Sequence, residues 1–120
     1  MNKILVVDDD ETMRMLITET LALKDYEILE ATNGKSGFEL IKEEKPAIVL
    51  LDLMMPKLDG YEVIKKLNEE DLMTNIKIVI LTAKGKEEEK KLALERGADY
   101  FLSKPFSPMN LLELIGKIEG

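Results

Sequence analysis

The chain has 120 residues, 45% of them hydrophobic, a net charge of −7, and neither cysteine nor histidine. That length fits a single domain over residues 1–120, able to bury a core without disulfides or a structural metal. The absent residue types exclude zinc sites of the usual kind, Ser-His-Asp and Cys-His catalysis, and phosphohistidine chemistry on this chain. The acidic balance argues against direct nucleic-acid binding by this domain.

Ile4-Leu5-Val6-Val7 is a compact apolar run that ends in three carboxylates, Asp8, Asp9 and Asp10. It reads as a buried strand. From Glu11 onward Met13, Leu16, Ile17 and Leu21 follow helical spacing, with Asp10 or a neighbour placed to cap the first turn. Tyr26 to Ala31 is a short strand carrying more polar residues, which suits a place near a sheet edge. Asn33-Gly34 marks a loop or the start of a second helix that holds Phe38, Leu40 and Ile41, and Pro46 prevents that helix from continuing.

Ala47-Ile48-Val49-Leu50-Leu51 then runs straight into Asp52. A continuous apolar run of this length reads as a strand buried on both faces, as in a parallel sheet. Pro56 to Gly60 set a turn into a third helix marked by Tyr61, Ile64 and Leu67. Ile76 to Thr82 is the next strand, and Lys86 to Arg96 a charged fourth helix in which Glu87 and Lys91 are spaced for mutual support. Gly97 is a natural C-cap. Asp99 to Ser103 is a fifth strand ending at Lys104-Pro105. Ser107-Pro108 opens a last helix with Leu111, Leu114, Ile115 and Ile118 on its inner face.

Five strands alternating with five helices make a (βα)5 chain, which right-handed crossovers wind into a doubly wound parallel sheet. Every strand's carboxyl end then points to one side, where open α/β sheets place their ligands. Asp8, Asp9, Asp52, Thr82 and Lys104 therefore share one edge. Two carboxylates ~4 Å apart repel by ~4 kcal/mol at an effective dielectric of ~20, so such a cluster needs a cation. Hard oxygen ligands with no His or Cys suit Mg²⁺, with Mn²⁺ as a substitute. A divalent ion and Lys104 would neutralise the three acids. That arrangement suits phosphoryl transfer, with Asp52 as nucleophile and Lys104 and Thr82 holding phosphoryl oxygens.

Over its whole length the sequence resembles the receiver domain of two-component response regulators. The resemblance rests on Val7-Asp8-Asp9, Leu51-Asp52-Leu53-Met54-Met55-Pro56 with Asp59-Gly60, Leu81-Thr82-Ala83 and Lys104-Pro105-Phe106. It implies a flavodoxin-like fold with strand order 2-1-3-4-5, which the residue pattern alone does not supply. It implies a phosphoacceptor rather than an enzyme, assisting its own phosphorylation and dephosphorylation. Asp52 would accept a phosphoryl group from a sensor histidine kinase or a histidine phosphotransfer protein. Asp9, Asp52 and the Met54 carbonyl would hold Mg²⁺ directly and Asp8 mainly through water. Lys104, Thr82 and the Ala83 amide would contact the phosphoryl group, and the Lys104-Pro105 bond would often be cis.

The family's switch couples the hydroxyl at Thr82 to an aromatic ring at position 101. Phe101 lacks a hydroxyl of its own, so burial of its ring would have to act by packing alone. The surface formed by the fourth helix, fifth strand and fifth helix would then change a homodimer contact or an output partner. Met54 and Lys84 flank the phosphoryl site and should influence how fast the phosphate is lost. No run approaches the ~18 apolar residues of a membrane span, and the start is too short an apolar segment for a signal peptide. A cytoplasmic protein is expected, either complete as it stands or the receiver of a longer regulator.

Three rivals are weaker. Asp8-Asp9-Asp10-Glu11-Thr12 matches the nucleophile motif of haloacid-dehalogenase-type phosphatases, with Asp8 as nucleophile. That reading leaves Asp52 unexplained and lacks an acidic pair after the lysine. A flavodoxin-like cofactor binder would need a phosphate loop after the first strand, where this chain has acids. An inactive docking receiver would not need the full set of acids, hydroxyl and lysine.

Overall fold

Alternating aliphatic side chains build one five-stranded parallel sheet, with the strands in the order β2-β1-β3-β4-β5. The protein is seen here as a computed structural model that describes residues 2–55, 58–83 and 85–119. The strands are β1 (Asn2–Val7), β2 (Tyr26–Ala31), β3 (Ile48–Asp52), β4 (Lys77–Ala83) and β5 (Tyr100–Lys104). The helices between and after them are α1 (Glu11–Leu21), α2 (Gly34–Glu44), α3 (Gly60–Glu69), α4 (Glu87–Glu95) and α5 (Pro108–Glu119). This is the flavodoxin-like, doubly wound order, and the polar strand β2 lies at an edge.

Because successive side chains on a strand point to opposite faces, each central strand feeds two cores. Leu5, Val7, Val49, Leu51, Ile78 and Ile80 meet Phe38 and Ile41 of α2, Val63, Ile64 and Leu67 of α3 and Ala93 of α4. Ile4, Val6, Ile48, Leu50, Val79 and Leu81 meet Ile17 and Leu21 of α1 and Leu111 and Ile115 of α5. All five residues of β3 are buried, which is why its sequence is apolar until Asp52.

The helix starts are set by side chains that satisfy the free N–H groups of the first turn. Asp10 accepts from the amides of Thr12 and Met13 at the head of α1, and Asn33 accepts from Ser36 at the head of α2. Asp59 and Glu62 form a reciprocal capping box on α3. At α5 Ser107 and Asn110 exchange side-chain-to-backbone bonds in the same way. Helix α4 starts at Lys86 without a side-chain cap, and its first turn holds Glu87, Glu88 and Glu89, which favour the positive end of the helix dipole. It ends before Gly97, whose φ of 119° lies where a Cβ would be strained.

Three details differ from the sequence pattern. Strands β4 and β5 each sit one residue later than their apolar runs suggest, because Ala83 and Lys104 are the last partners of their ladder. Asp99 falls before β5, where its carboxylate accepts the Ile78 amide at 2.9 Å. On α4, Glu87 pairs one turn away with Lys90 at 2.7 Å, rather than with Lys91.

Candidate functional site

The parallel register decides which residues meet at the carboxyl edge. Val7 stands opposite Leu51 and Asp52 opposite Leu81, so Asp8 lies one step beyond, beside Asp52. Ala83 pairs with Lys104, which brings the lysine up from the outer strand. At the start of α3 the Gly60 amide donates to the Leu53 carbonyl at 3.1 Å, just beyond the end of β3. A Cβ at position 60 would lie 2.8 Å from the Asp52 carbonyl oxygen, so only glycine fits this approach.

Asp8 is fully buried and Asp52 is 6% exposed, while Asp9 is open to solvent. One carboxylate oxygen from each of the three lies within 4.8 Å of the others. Burial of two anions at this spacing is unfavourable without cations and hydrogen bonds. Lys104 supplies the cation, with its Nζ 2.9 Å from Asp8 Oδ2 and 3.5 Å from Asp52 Oδ2. The Asp10 amide donates to Asp8 Oδ1 at 2.9 Å and the Met54 amide to Asp52 Oδ1 at 3.2 Å. Asp10 itself, the fourth acid of the neighbourhood, is spent on capping α1.

The Asp52 carboxyl is pushed up from 3.8 to about 6. Burial is the main cause and the Asp8 charge the next, and together they outweigh the opposing pull of Lys104 and the Met54 amide. Burial also works against the Lys104 charge, but its bond to Asp8 and the charges of Asp52 and Asp8 more than offset this, leaving its pKa above 10.5. The cluster thus holds more negative charge than one lysine relieves. Its donors are all hard oxygens, and one of the three acids faces solvent, so the set could hold a small divalent cation that keeps several waters. A cleft of about 570 Å³ lies at the far ends of α3 and α4, lined by Lys65, Asn68, Glu69, Glu95 and Arg96, away from these acids.

Thr82 is buried at 6% exposure on β4, beside the exposed Ala83. The Lys104-Pro105 bond is cis. Met54 is 68% exposed at the rim of the site. Pro56 and Lys84 lie outside the described residues. Phe101 is not a core residue: it is 38% exposed, and the Lys90 ammonium sits 3.8 Å from its ring centroid. Strand β5 is an edge strand, and α4 meets this ring with the Lys90 side chain rather than an apolar one.

Residues 4–116 match the family described as the response regulator receiver domain. The chain belongs to that family. Among its relatives are the alkaline phosphatase synthesis transcriptional regulatory protein PhoP of Bacillus subtilis, 45% identical over 106 residues, and the phosphate regulon transcriptional regulatory protein PhoB of Pseudomonas aeruginosa, 42% identical over 109. The matches cover 88% and 91% of this chain but 43% and 48% of those proteins, so the chain spans just under half of their length. Two solved structures superpose closely. A CheY-like receiver domain protein of Methanospirillum hungatei gives a TM-score of 0.86 at 31% identity, covering 98% of this chain and 93% of that one. The chemotaxis protein CheY4 of Vibrio cholerae gives 0.89 at 28%, covering 98% of both.

This receiver domain therefore carries the five polar residues of its motifs on one edge. Asp8, Asp52 and Lys104 come together as a bonded group with the Asp9 carboxylate beside them, and Thr82 with Ala83 ends the next strand. Phe101 stands apart, turned toward α4. Sequence reasoning missed Arg14, whose guanidinium donates to the Asp8 carbonyl at 2.8 Å and pairs with Glu30 at 3.3 Å. Its spacing on α1, one turn after the capping Asp10, was the available signal, but an arginine there is equally at home in water. Among the described residues no helix is long and apolar enough to cross a membrane.

Proposed function

We propose that Asp52 is a phosphoacceptor whose donor is a phosphohistidine on a sensor kinase or a histidine phosphotransfer protein. A carboxylate oxygen of Asp52 attacks phosphorus, the P–O bond forms as the P–N bond breaks, and the donor's imidazole leaves with its own electron pair. Asp8, Asp9, Asp52 and the Met54 carbonyl would hold Mg²⁺, or Mn²⁺ in its place, Asp8 mainly through water. When bound there, the ion would supply positive charge to the phosphoryl oxygens. Lys104 shifts from Asp8 toward the incoming group, and the Thr82 hydroxyl and Ala83 amide donate to its other oxygens. The observation that carries this reading is a nearly buried Asp52 sharing one lysine with Asp8 and gathered with Asp9. Such a site needs a further cation, and it opens at a sheet edge where a second protein can reach it.

Aspartyl phosphate formation would draw Thr82 toward the phosphoryl group and leave room for Phe101 to pack inward. The surface of α4, β5 and α5 would change with it, altering a homodimer contact or the docking of an output partner. The domain would work in the cytoplasm without contacting nucleic acid itself, assisting its own phosphorylation and dephosphorylation. The haloacid-dehalogenase alternative is disfavoured because its nucleophile, Asp8, is fully buried, with both carboxylate oxygens engaged.

Incubation with acetyl phosphate and Mg²⁺, followed by peptide mass spectrometry, tests the assignment. The adduct is expected on the peptide that contains Asp52 and is lost in Asp52→Asn. Full labelling of Asp52→Asn would refute it, and loss of labelling in Asp8→Asn alone would favour the phosphatase.

A further inference from the structure

Asp8 is fixed at every polar atom. Its amide donates to the Ala31 carbonyl at 3.1 Å, its two carboxylate oxygens accept from the Asp10 amide and from Lys104, and its carbonyl accepts from Arg14 at 2.8 Å. Asp9 is different. It is exposed, and the aim of its carboxylate depends on the backbone that carries it. That backbone is the Asp8–Asp9 peptide unit, and its oxygen is the one Arg14 holds. Holding this oxygen restrains the rigid peptide before Asp9, and the Asp10 amide on Asp8 Oδ1 restrains the one after it, so the two together limit the direction in which the Asp9 side chain leaves the chain.

Arg14 is well placed for this. Its side chain is only 14% exposed, and its Nε pairs with Glu30 Oε1 at 3.3 Å, next to the Ala31 whose carbonyl receives the Asp8 amide. The guanidinium therefore spans α1, the β1–α1 loop and the end of β2. A planar fork with several donors can make such a two-point grip, whereas an ammonium offers a single point charge. Each contact alone is an ordinary bond. Together they tie the loop that carries the exposed acid to a neighbouring strand.

We propose that Arg14 is a positioning residue for Asp9, holding the Asp8–Asp9 peptide so that the exposed carboxylate converges with Asp52 on one divalent cation. The inference rests on the Mg²⁺ reading of the acid cluster. It separates cleanly from a charge effect. If Arg14 acted on the ion only as a nearby positive charge, removing it would tighten Mg²⁺ binding. As a positioning residue, its removal weakens binding.

The test is calorimetric titration of the metal-free protein with Mg²⁺ alone, alongside amide exchange at Asp9 and Asp10 without metal. Removing an outer-shell partner typically costs ten- to a hundred-fold in metal affinity. Arg14→Gln is expected to raise the Mg²⁺ dissociation constant about ten-fold and to speed exchange of these two amides. Arg14→Lys, which keeps the charge but not the fork, is expected to weaken Mg²⁺ as well. Unchanged or tighter binding in Arg14→Gln, or full affinity in Arg14→Lys, would overturn the proposal. Failure of the unmodified protein to bind Mg²⁺ would overturn the metal reading beneath it, an outcome distinct from equal binding by protein and variant.

Discussion

The centre of the sheet and its β5 edge are built differently. Strands β1 and β3 run through the centre, with the last four residues of β1 and all of β3 buried, and they carry Asp8, Asp9 and Asp52. At the edge β5 has no fully buried residue, and α4 buries only Ala93 and lacks a side-chain cap. The acids are thus mounted on deeply buried strands, while Phe101 and Lys90 stand on sparsely buried elements. Such a contrast suits the proposed roles, with a small ion held in fixed geometry and a surface that changes shape nearby. Regions with few buried apolar contacts open at lower free energy than core strands.

The contrast is broken most directly by truncating one apolar residue in each region. Leu50→Ala, in the fully buried β3, is expected to cost about 2–5 kcal/mol in denaturant unfolding. Leu92→Ala, at a 37% exposed position on α4, is expected to cost less than about 1 kcal/mol. Comparable losses at the two sites would mean that α4 is as firmly packed as the centre.

Next in size is the strain of the acid pocket itself. The Asp52 carboxyl is raised from 3.8 to about 6 in the folded protein, so the folded state binds more protons across that window. Stability contributed by the protonated group is fully present below pH 3.8 and is lost as pH rises through about 6. The corresponding free energy is less than about 3 kcal/mol, because solvent reaching the pocket screens part of the interaction. In metal-free protein, Asp52→Asn is therefore expected to be the more stable form at pH 8, and its advantage should vanish near pH 4. An advantage that stays constant from pH 4 to 8 would contradict the burial argument. Added Mg²⁺ should stabilise the unmodified protein at pH 8 by binding the folded state.

Least in size is the stack at the β5 edge. Lys90→Met keeps the aliphatic stem but removes the charge over Phe101, and a partly exposed cation–π contact contributes roughly 0.5–1 kcal/mol. A loss in that range is expected, with no change in Mg²⁺ affinity. A change in Mg²⁺ affinity would show that the two regions are coupled before any phosphoryl group arrives.

The same contrast explains what was legible in the sequence. Buried strands such as Ile48 to Leu51 announce themselves as apolar runs, and the polar residue that ends each one shows where the site will be. Capping by Asp10, Asn33 and Asp59 follows from local chemistry that needs no tertiary context. Strand order did not follow from pattern, because nothing in an apolar run says which neighbour it pairs with; only the family resemblance supplied it. The rim was harder still. Whether Phe101 is covered depends on which residue α4 presents to it, and Lys90 is a long side chain whose reach cannot be read from spacing. Glu87 has Lys90 at i+3 and Lys91 at i+4 within helical reach, and spacing alone does not choose between them. Arg14 was hard to read because one partner is a backbone carbonyl, which every residue possesses, and the other, Glu30, is brought near only by the pairing of β1 with β2.

Amide hydrogen exchange with and without Mg²⁺ and a beryllofluoride phosphoryl mimic tests the link between the two regions most directly. Altered exchange is expected across residues 83–104 and the start of α5, with β1 and β3 unchanged. Exchange that stays the same along α4 and β5, or that shifts equally in β3, would contradict it.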